Sequence, residues 1–278
     1  MLKRRNLSLA PFALLLAACA SSAPVAAPAP APVPDSAPEP AEPTARDVIA
    51  RHVEVTGARD LVEGSSSFHM IGSIELAGMG IKGDLDIKAI KPDSFQINSS
   101  LGPAGTTVAC YDGEIGWMSN PMMGGTSLLD GVELFAMQMQ SDYSAPLMKA
   151  EDYDEMTLEG REMFDDRDCY RVKLVYKAPD DPEFAEQTLK TRTTINWFDV
   201  ETGMQIATQG TQSSPQGEME VTTILEYGER EGILIPVQMT QRVMGMEVAL
   251  KIDELVLDSV DRSAFERPAD VQTLLEDE

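Results

Sequence analysis

The 278-residue sequence predicts a mainly β fold with added helices, an α+β protein of about 9–11 antiparallel strands. Two observations carry this prediction. Beyond Gly64, most segments alternate apolar and polar side chains with a period of two, which is typical of strands that bury one face. Turns containing Gly, Asp or Asn separate these segments at short intervals, as in antiparallel meanders. The pattern favours a single curved sheet or barrel, to which two helical segments are added.

The first helical segment precedes the strands. Residues 45–63 read ARDVIARHVEVTGARDLVE and predict a helix with a break at Gly57. Apolar side chains, with His52 among them, recur there at helical spacing. We interpret His52 as a packed core residue, because the only other histidine, His69, is not spaced to share a metal with it.

The strands follow in order along the chain. In the first of them Phe68, Met70, Ile74 and Leu76 alternate with polar residues, and the later segments repeat this pattern. The strand-like segments are SFHMIGSIELAG, GIKGDLDIKA, DSFQINSS, TTVACYDGEIGWMS, CYRVKLVYK, TTINWFDVETGMQIATQGTQS and MEVTTILEYGEREGILIPVQMTQRVMGMEVALKIDELVLD.

Residues 127–153 interrupt the strands with apolar residues at helical spacing. This region and its flank are rich in methionine, at Met122, Met123, Met137, Met139 and Met148. Methionine is flexible and polarizable, so it suits surfaces that accept ligands of variable shape. The segment is either a helix that fills a gap in the core or a lid over an apolar surface.

The first 18 residues predict a signal peptide. Lys3, Arg4 and Arg5 precede a short apolar run, which is too short to span a bilayer. The run ends in Leu16-Ala17-Ala18-Cys19, which resembles a bacterial lipobox, so Cys19 is the expected site of lipidation. The alternative is an ordinary cleaved signal with an incidental cysteine.

Residues 19–44 predict a lipidated cysteine followed by a tether. The stretch SSAPVAAPAPAPVPDSAPEPAEP has no apolar periodicity, and its composition is typical of an extended, semi-rigid linker. Ala20 follows the cysteine, and by resemblance to the sorting rule of Gram-negative lipoproteins this favours the outer membrane, facing the periplasm. Residues 45–278 then form the folded domain.

Composition limits the partners. The formal charge is −24, and it falls to −27 once the three basic residues of the signal are removed. This speaks against nucleic acid and against adhesion to anionic lipid, both of which need basic patches. Cys110 and Cys169 remain after lipidation, and they form either a disulfide or two buried free thiols.

Catalytic motifs are absent from the sequence. It contains no G-x-S-x-G elbow, no H-E-x-x-H pair and no phosphate loop. The acidic runs DDRD (165–168) and PDDPE (179–183) lack calcium-loop spacing, so acidic turns explain them better. We therefore expect no enzyme activity, no cofactor and no metal, although a carboxylate hydrolase is a third and weaker hypothesis.

The order of several segments resembles a known family. Asp112-Gly113 is followed by Gly116-Trp117, the hairpin FDVETG spans 198–203, and Phe265 closes the pattern before Pro268. This progression is similar to the outer-membrane lipoprotein-sorting superfamily, the LolA/LolB-like proteins, over most of residues 46–270. The resemblance implies an unclosed antiparallel half-barrel wrapped over an N-terminal helix, with the methionine-rich segment as a helical lid, in a lipoprotein member of the family.

The same resemblance implies an apolar concave face that holds acyl chains. The residues expected to line it are Phe68, Met70, Ile74, Leu85, Ile87, Trp117, Phe135, Met139, Trp197, Val221, Leu225, Met239, Met246, Val248 and Leu250. The leading hypothesis is a lipid-anchored envelope protein that binds acyl chains, lipid or lipoprotein without catalysis. The alternative is a non-catalytic envelope scaffold that binds a protein partner through its acidic rim or a sheet edge.

Overall fold

Thirteen antiparallel strands form one continuous sheet in the computed structural model, which describes residues 42–102, 105–214 and 217–276. Their order is β6-β5-β4-β3-β2-β1-β13-β12-β11-β10-β9-β8-β7, and the two terminal strands do not pair with each other. The strands are β1 Ser67–Leu76, β2 Ile81–Ile90, β3 Ser94–Ser100, β4 Thr106–Tyr111, β5 Gly116–Asn120, β6 Gly125–Leu128, β7 Tyr153–Phe164, β8 Arg167–Tyr176, β9 Thr193–Asp199, β10 Gln205–Ser214, β11 Gly217–Arg230, β12 Ile233–Val243 and β13 Met246–Leu257.

In the described part of the chain, five α-helices accompany the sheet: α1 Ala45–Thr56, α2 Ala58–Gly64, α3 Gly131–Ser141, α4 Pro182–Gln187 and α5 Ala269–Glu276. Thr44 caps α1 in a reciprocal box with Asp47, which satisfies backbone donors at the helix start. Gly57 ends α1 in the left-handed conformation (φ 70°) that a residue without Cβ adopts at low cost. The predicted helix with a break at Gly57 is confirmed.

The predicted fold class is confirmed: the molecule is mainly β with helices, and its antiparallel sheet is not closed. The strand number is higher than the 9–11 expected. β6 has only four residues, and β7 is an edge strand whose side chains are mostly polar or half-exposed, so neither alternates cleanly. The helix of the methionine-rich segment is also shorter than the pattern suggested, because two 3₁₀ turns, Ala145–Leu147 and Ala150–Asp152, follow α3.

Helices α1 and α2 cover part of one face of the sheet, which we call the concave face. Val48, Ile49 and Val53 of α1 pack against Val172 of β8 and Phe198 of β9. Leu61 of α2 packs with a second group at the middle of the sheet, which consists of Leu85, Ile87, Ile233, Ile235, Ile252 and Leu255. The chain thus builds its main core between its N-terminal helices and the sheet.

The C-terminal segment covers part of the opposite, convex face. Phe265 and Val271 pack with Trp117 and Cys110, away from the N-terminal helices. Arg267 holds this segment in place by donating hydrogen bonds to Asp112 (2.6 Å) and Glu114 (2.5 Å). Burial raises the pKa of Asp112, but the Arg267 and backbone hydrogen bonds outweigh it and hold that pKa below its usual value.

Cys110 and Cys169 are both free and buried. They belong to separate clusters on β4 and β8, so the possible disulfide does not form and the free-thiol alternative holds. Burial raises the pKa of Cys110 to about 12 and that of Cys169 to about 11. Both thiols are therefore protonated and unreactive at neutral pH.

Residues Glu42–Glu278 form one compact unit. The predicted signal peptide (1–18), Cys19 and most of the tether (19–44) lie outside the described residues. Within the described part of the chain, none of the helices combines the length and apolarity needed to cross a membrane.

His52 should make stability fall with acidity. It is buried beside Phe198 and Tyr227, and its Nδ1 accepts a hydrogen bond from the backbone N–H of Gln205 (3.1 Å). Burial lowers its pKa from 6.5 to about 4, despite an opposing contribution from the Gly203 backbone. Above pH 6.5 the histidine is neutral in both the folded and the unfolded chain. As pH falls from 6.5 towards 4, the unfolded chain takes up the proton first, so the unfolding free energy falls by about 3 kcal/mol.

Urea unfolding between pH 7 and 4.5 measures this loss. His52→Phe should flatten the dependence of the unfolding free energy on pH. It also leaves the Gln205 N–H without its acceptor, which should lower stability at pH 7 by about 1–3 kcal/mol. The control Val172→Ala removes buried apolar atoms without removing a titrating group, so it should lower the unfolding free energy by the same amount at both pH values. Equal slopes in the wild type and His52→Phe would assign the acid sensitivity to other groups.

Candidate functional site

The candidate site is the part of the concave face that α1 and α2 leave uncovered. Partners across an antiparallel ladder point to the same face, so the strand register identifies its members. Ile74 pairs with Leu250, Leu250 with Met239, and Met239 with Leu225. Leu76 pairs with Val248 one step further along the same strands. We call these six side chains the concave row: Ile74, Leu76, Leu225, Met239, Val248 and Leu250.

Burial changes along the strands of this face. Beneath α2, Leu85 and Ile252 are fully buried and Ile235 is 3% exposed. All six members of the concave row are only half-buried. Gly83 and Gly210 lie on the same face beside Ile74 and Val221 and add no side chain to it. The concave row is therefore an apolar surface that the protein's own atoms cover only in part.

Helix α3 lies on the concave side of the sheet. It contacts β3 and β4 near one end of the sheet and β10 near the other, so it spans the open side of the half-barrel. Leu134 packs closely on Gly116 of β5: a Cβ added at Gly116 would lie 2.9 Å from Cδ1 of Leu134. At the other side, the ring of Phe135 meets that of Phe184 in α4 edge to face, with centroids 6.0 Å apart. This is the position expected of a helical lid.

Methionines surround the end of the half-barrel furthest from α2, which we call the mouth. The β1–β2 and β12–β13 turns are neighbours there, because the Ala77 N–H donates to the Glu247 carbonyl (2.9 Å). These turns and the β5–β6 connection carry the most exposed apolar side chains of the region, which are Met79 (59% exposed), Met122 (74%), Met244 (78%) and Met246 (50%). Methionine is a side chain suited to apolar contacts of variable shape.

Most of the residues predicted to line the site lie on the concave face or on α3. The central cluster brings together Phe68, Met70, Leu85, Ile87, Met239 and Leu250. By register, Ile74, Val221, Leu225 and Val248 continue it, and Met246 lies at its outer end. On α3, Phe135 faces α4 and Met139 is half-buried.

The two tryptophans lie elsewhere. Trp117 pairs with Cys110 and is buried beneath the C-terminal segment, and Trp197 pairs with Ala207 in a cluster that contains Cys169. Both indoles therefore occupy the convex face, where that of Trp197 donates to Glu162 (2.6 Å). The sequence placed them on the wrong face because these strands are apolar on both faces, and alternation alone does not identify the inner one.

Uncharged polar side chains border the concave row, since Gln241 pairs with Val248 and Thr223 with Gln241, whereas the charged groups that the sequence singled out lie elsewhere. His69 pairs with Asp86 (Nε2 to Oδ2, 2.7 Å), on strand positions that face away from the concave row. In the acidic runs, Asp168 pairs with Arg161, and Asp181 caps α4 by accepting from Phe184 N–H (2.7 Å). Among the described residues, no group of three or more His, Cys, Asp or Glu side chains could hold a metal ion.

Comparisons with solved structures find the same fold. A LolA superfamily protein of Nitrosomonas europaea is 13% identical, with a TM-score of 0.52 over 81% of this chain and 99% of its own. A DUF1329 family protein of Desulfovibrio piger is 14% identical, with a TM-score of 0.53 over 80% and 97%. A domain described as outer membrane lipoprotein-sorting, from Vibrio parahaemolyticus, is 13% identical, with a TM-score of 0.52 over 82% and 99%.

Searches by sequence give a different result. No family model matches the chain, and no curated protein matches it. The resemblance expected from the sequence is thus confirmed at the level of the fold, which is LolA-like.

Proposed function

We propose that this LolA-like half-barrel binds acyl chains, of lipid or of lipoprotein, on its concave face and that it does so without catalysis. The observation that carries the proposal is the half-buried concave row, which lies on the sheet face that α3 crosses. Soluble proteins rarely leave a contiguous apolar surface uncovered unless it has a partner. A hydrocarbon guest that covers it gains about 25 cal/mol for each Å² of apolar area removed from water.

In this proposal α3 is the lid and the methionines of the mouth mark the entrance. Leu134 of α3 packs on Gly116, and Gln138 donates a long hydrogen bond to the Tyr111 hydroxyl (3.4 Å), so departure of the helix would break little polar contact with the sheet. The mouth presents Met79, Met122 and Met244 to an arriving chain, whose shape they can accommodate. Specificity for chain length should be loose.

The location follows from the N-terminal segment. Lipidation at Cys19 would anchor the protein in the envelope, at the outer membrane facing the periplasm, and the tether would hold the half-barrel away from the bilayer. The description of the Vibrio domain as lipoprotein-sorting supports this setting.

The alternative, a scaffold that binds a protein partner by a sheet edge, has less support. Strand β7 is a terminal strand of twelve residues, but two bulges interrupt its register, and Glu155 and Glu159 pair with Lys173 and Arg171. Bulges and charged side chains are the features with which proteins protect an edge against added strands.

Native mass spectrometry tests the proposal. Residues 20–278, which keep the tether and the compact unit, would be isolated from an envelope extract without detergent. The expected spectrum contains the protein with one bound lipid or fatty acid. Protein that emerges free of lipid, and that also fails to bind added monolauroyl glycerol, would rule out the proposed function.

A further inference from the structure

A groove lies at the edge of the sheet, between α1, α2, β7 and the two 3₁₀ turns that follow α3. It encloses about 450 Å³, which lies in the usual range for small-molecule sites. The apolar part of its walls consists of the half-buried Leu147, Met148 and Met156 and the buried Ile49 and Val53, and charged side chains form much of the rest. We call it the α1 groove, and it is distinct from the concave row, since they share no residue.

The backbone at Met148 is unusual. This residue has φ 45° and ψ 49°, a left-handed conformation that costs a residue with a Cβ about 1 kcal/mol or more. It ends the Ala145–Leu147 turn and places Met148 among the groove residues. Such conformations cluster at ligand-binding sites, where the surrounding structure maintains them.

Two cations that form no ion pair with the described residues line the α1 groove, although Lys149 lies near enough to Asp152 to oppose the rise in that carboxyl's pKa. In the described part of the chain, Arg46 and Lys149 form no ion pair and donate no side-chain hydrogen bond, whereas most other lysines and arginines do. Arg59 is neutralised by Glu63 at 2.8 Å. Glu151 also lines the groove, so these five side chains leave one net positive charge beside an apolar wall. This is exceptional in a chain whose formal charge is −24.

We propose that the α1 groove binds an amphiphile with a single acyl chain and an anionic head group. The chain would lie along the methionine and isoleucine side chains, and the head group would lie between Arg46 and Lys149. Cations are favoured partners for carboxylate and phosphate groups, because charge-assisted hydrogen bonds are stronger than neutral ones. This site is separate from the concave row and adds a selection by charge that the concave row does not offer.

Calorimetric titration of residues 20–278 at low salt tests the proposal, with dodecyl phosphate as the anionic ligand and monolauroyl glycerol as the neutral one. Arg46→Glu/Lys149→Glu should weaken dodecyl phosphate binding about tenfold, since each exposed ion pair contributes about 0.2–1 kcal/mol and reversal adds repulsion. Monolauroyl glycerol should bind as it does to the wild type.

The matched control reverses two exposed cations outside the groove, Lys82→Glu/Arg262→Glu, and so makes the same change in net charge. It should leave dodecyl phosphate binding unchanged within about twofold, a difference of about 0.4 kcal/mol. Equal loss in both double variants would show a general charge effect and overturn the proposal. So would dodecyl phosphate binding that Arg46→Glu/Lys149→Glu leaves intact, or no binding by the wild type. The concave row is judged separately, by the binding of the neutral ligand that is measured in parallel.

Discussion

Leu250→Glu should weaken acyl-chain binding about 100-fold while the protein remains folded. Leu250 is a half-buried member of the concave row, between Ile74 and Met239 across the ladder. Water can reach a carboxylate there in the empty protein, but a bound hydrocarbon would strip that water away. Desolvating an unpaired charge costs about 3 kcal/mol or more, so the affinity for monolauroyl glycerol should fall about 100-fold.

The matched control lies on the same strand. Val256 is 41% exposed and pairs with His69, so it faces the convex side. Val256→Glu makes the same kind of change, from a branched apolar side chain to a carboxylate, and should bind the ligand as the wild type does. If both variants keep full affinity, the acyl chain does not lie on the concave row. Circular dichroism of each variant checks that the sheet is intact, and Met239→Gln gives a milder test at a neighbouring position.

Gly72→Ala should destabilise the fold strongly. Gly72 lies at a break in register between β1 and β13, and a Cβ there would lie 1.8 Å from the carbonyl oxygen of Lys251. A main-chain atom of a central strand cannot move away as a flexible side chain would. We expect a loss of about 3 kcal/mol in the unfolding free energy, at the upper end for added bulk in a packed site.

Gly64→Ala is the control for that substitution. Gly64 is the last residue of α2, and no atom lies within 4 Å of where its Cβ would be. Alanine should leave stability unchanged or raise it by about 0.4–1 kcal/mol, because it restricts the unfolded chain and favours the helix. Urea titrations of the two variants give the comparison. A loss below about 1 kcal/mol for Gly72→Ala would mean that β1 and β13 are not held as closely as the structure has them.

The sequence was informative where a local pattern has one physical solution. Helical spacing interrupted by Gly57 could only mean a helix with a break, and His52 on its apolar stripe is buried. Period-two alternation likewise identified most strands and the members of the concave row. Such patterns depend only on residues that are close together in the sequence and on an element that buries one of its faces.

The sequence was uninformative where a segment distant in the chain determines which face of a strand is buried. Trp117 and Trp197 alternate as core residues do, but the C-terminal segment and the convex cluster bury them instead. Met79 and Met244 of the mouth escaped notice for the opposite reason. They are exposed and lie in glycine-containing turns, and only the register of the sheet brings them to one end. Distant pairing of this kind leaves no local trace.

The account's central claim is that a hydrocarbon guest occupies the concave face beneath α3. Its most direct test is a crystal structure of residues 20–278 with a monoacylglycerol brominated at the end of its chain, in which anomalous scattering locates the bromine. We predict a bromine within about 4.5 Å of Met239, Leu225 or Leu250, with α3 over the chain. A bromine found only outside the concave face, or a face filled by the protein's own side chains, would contradict the claim.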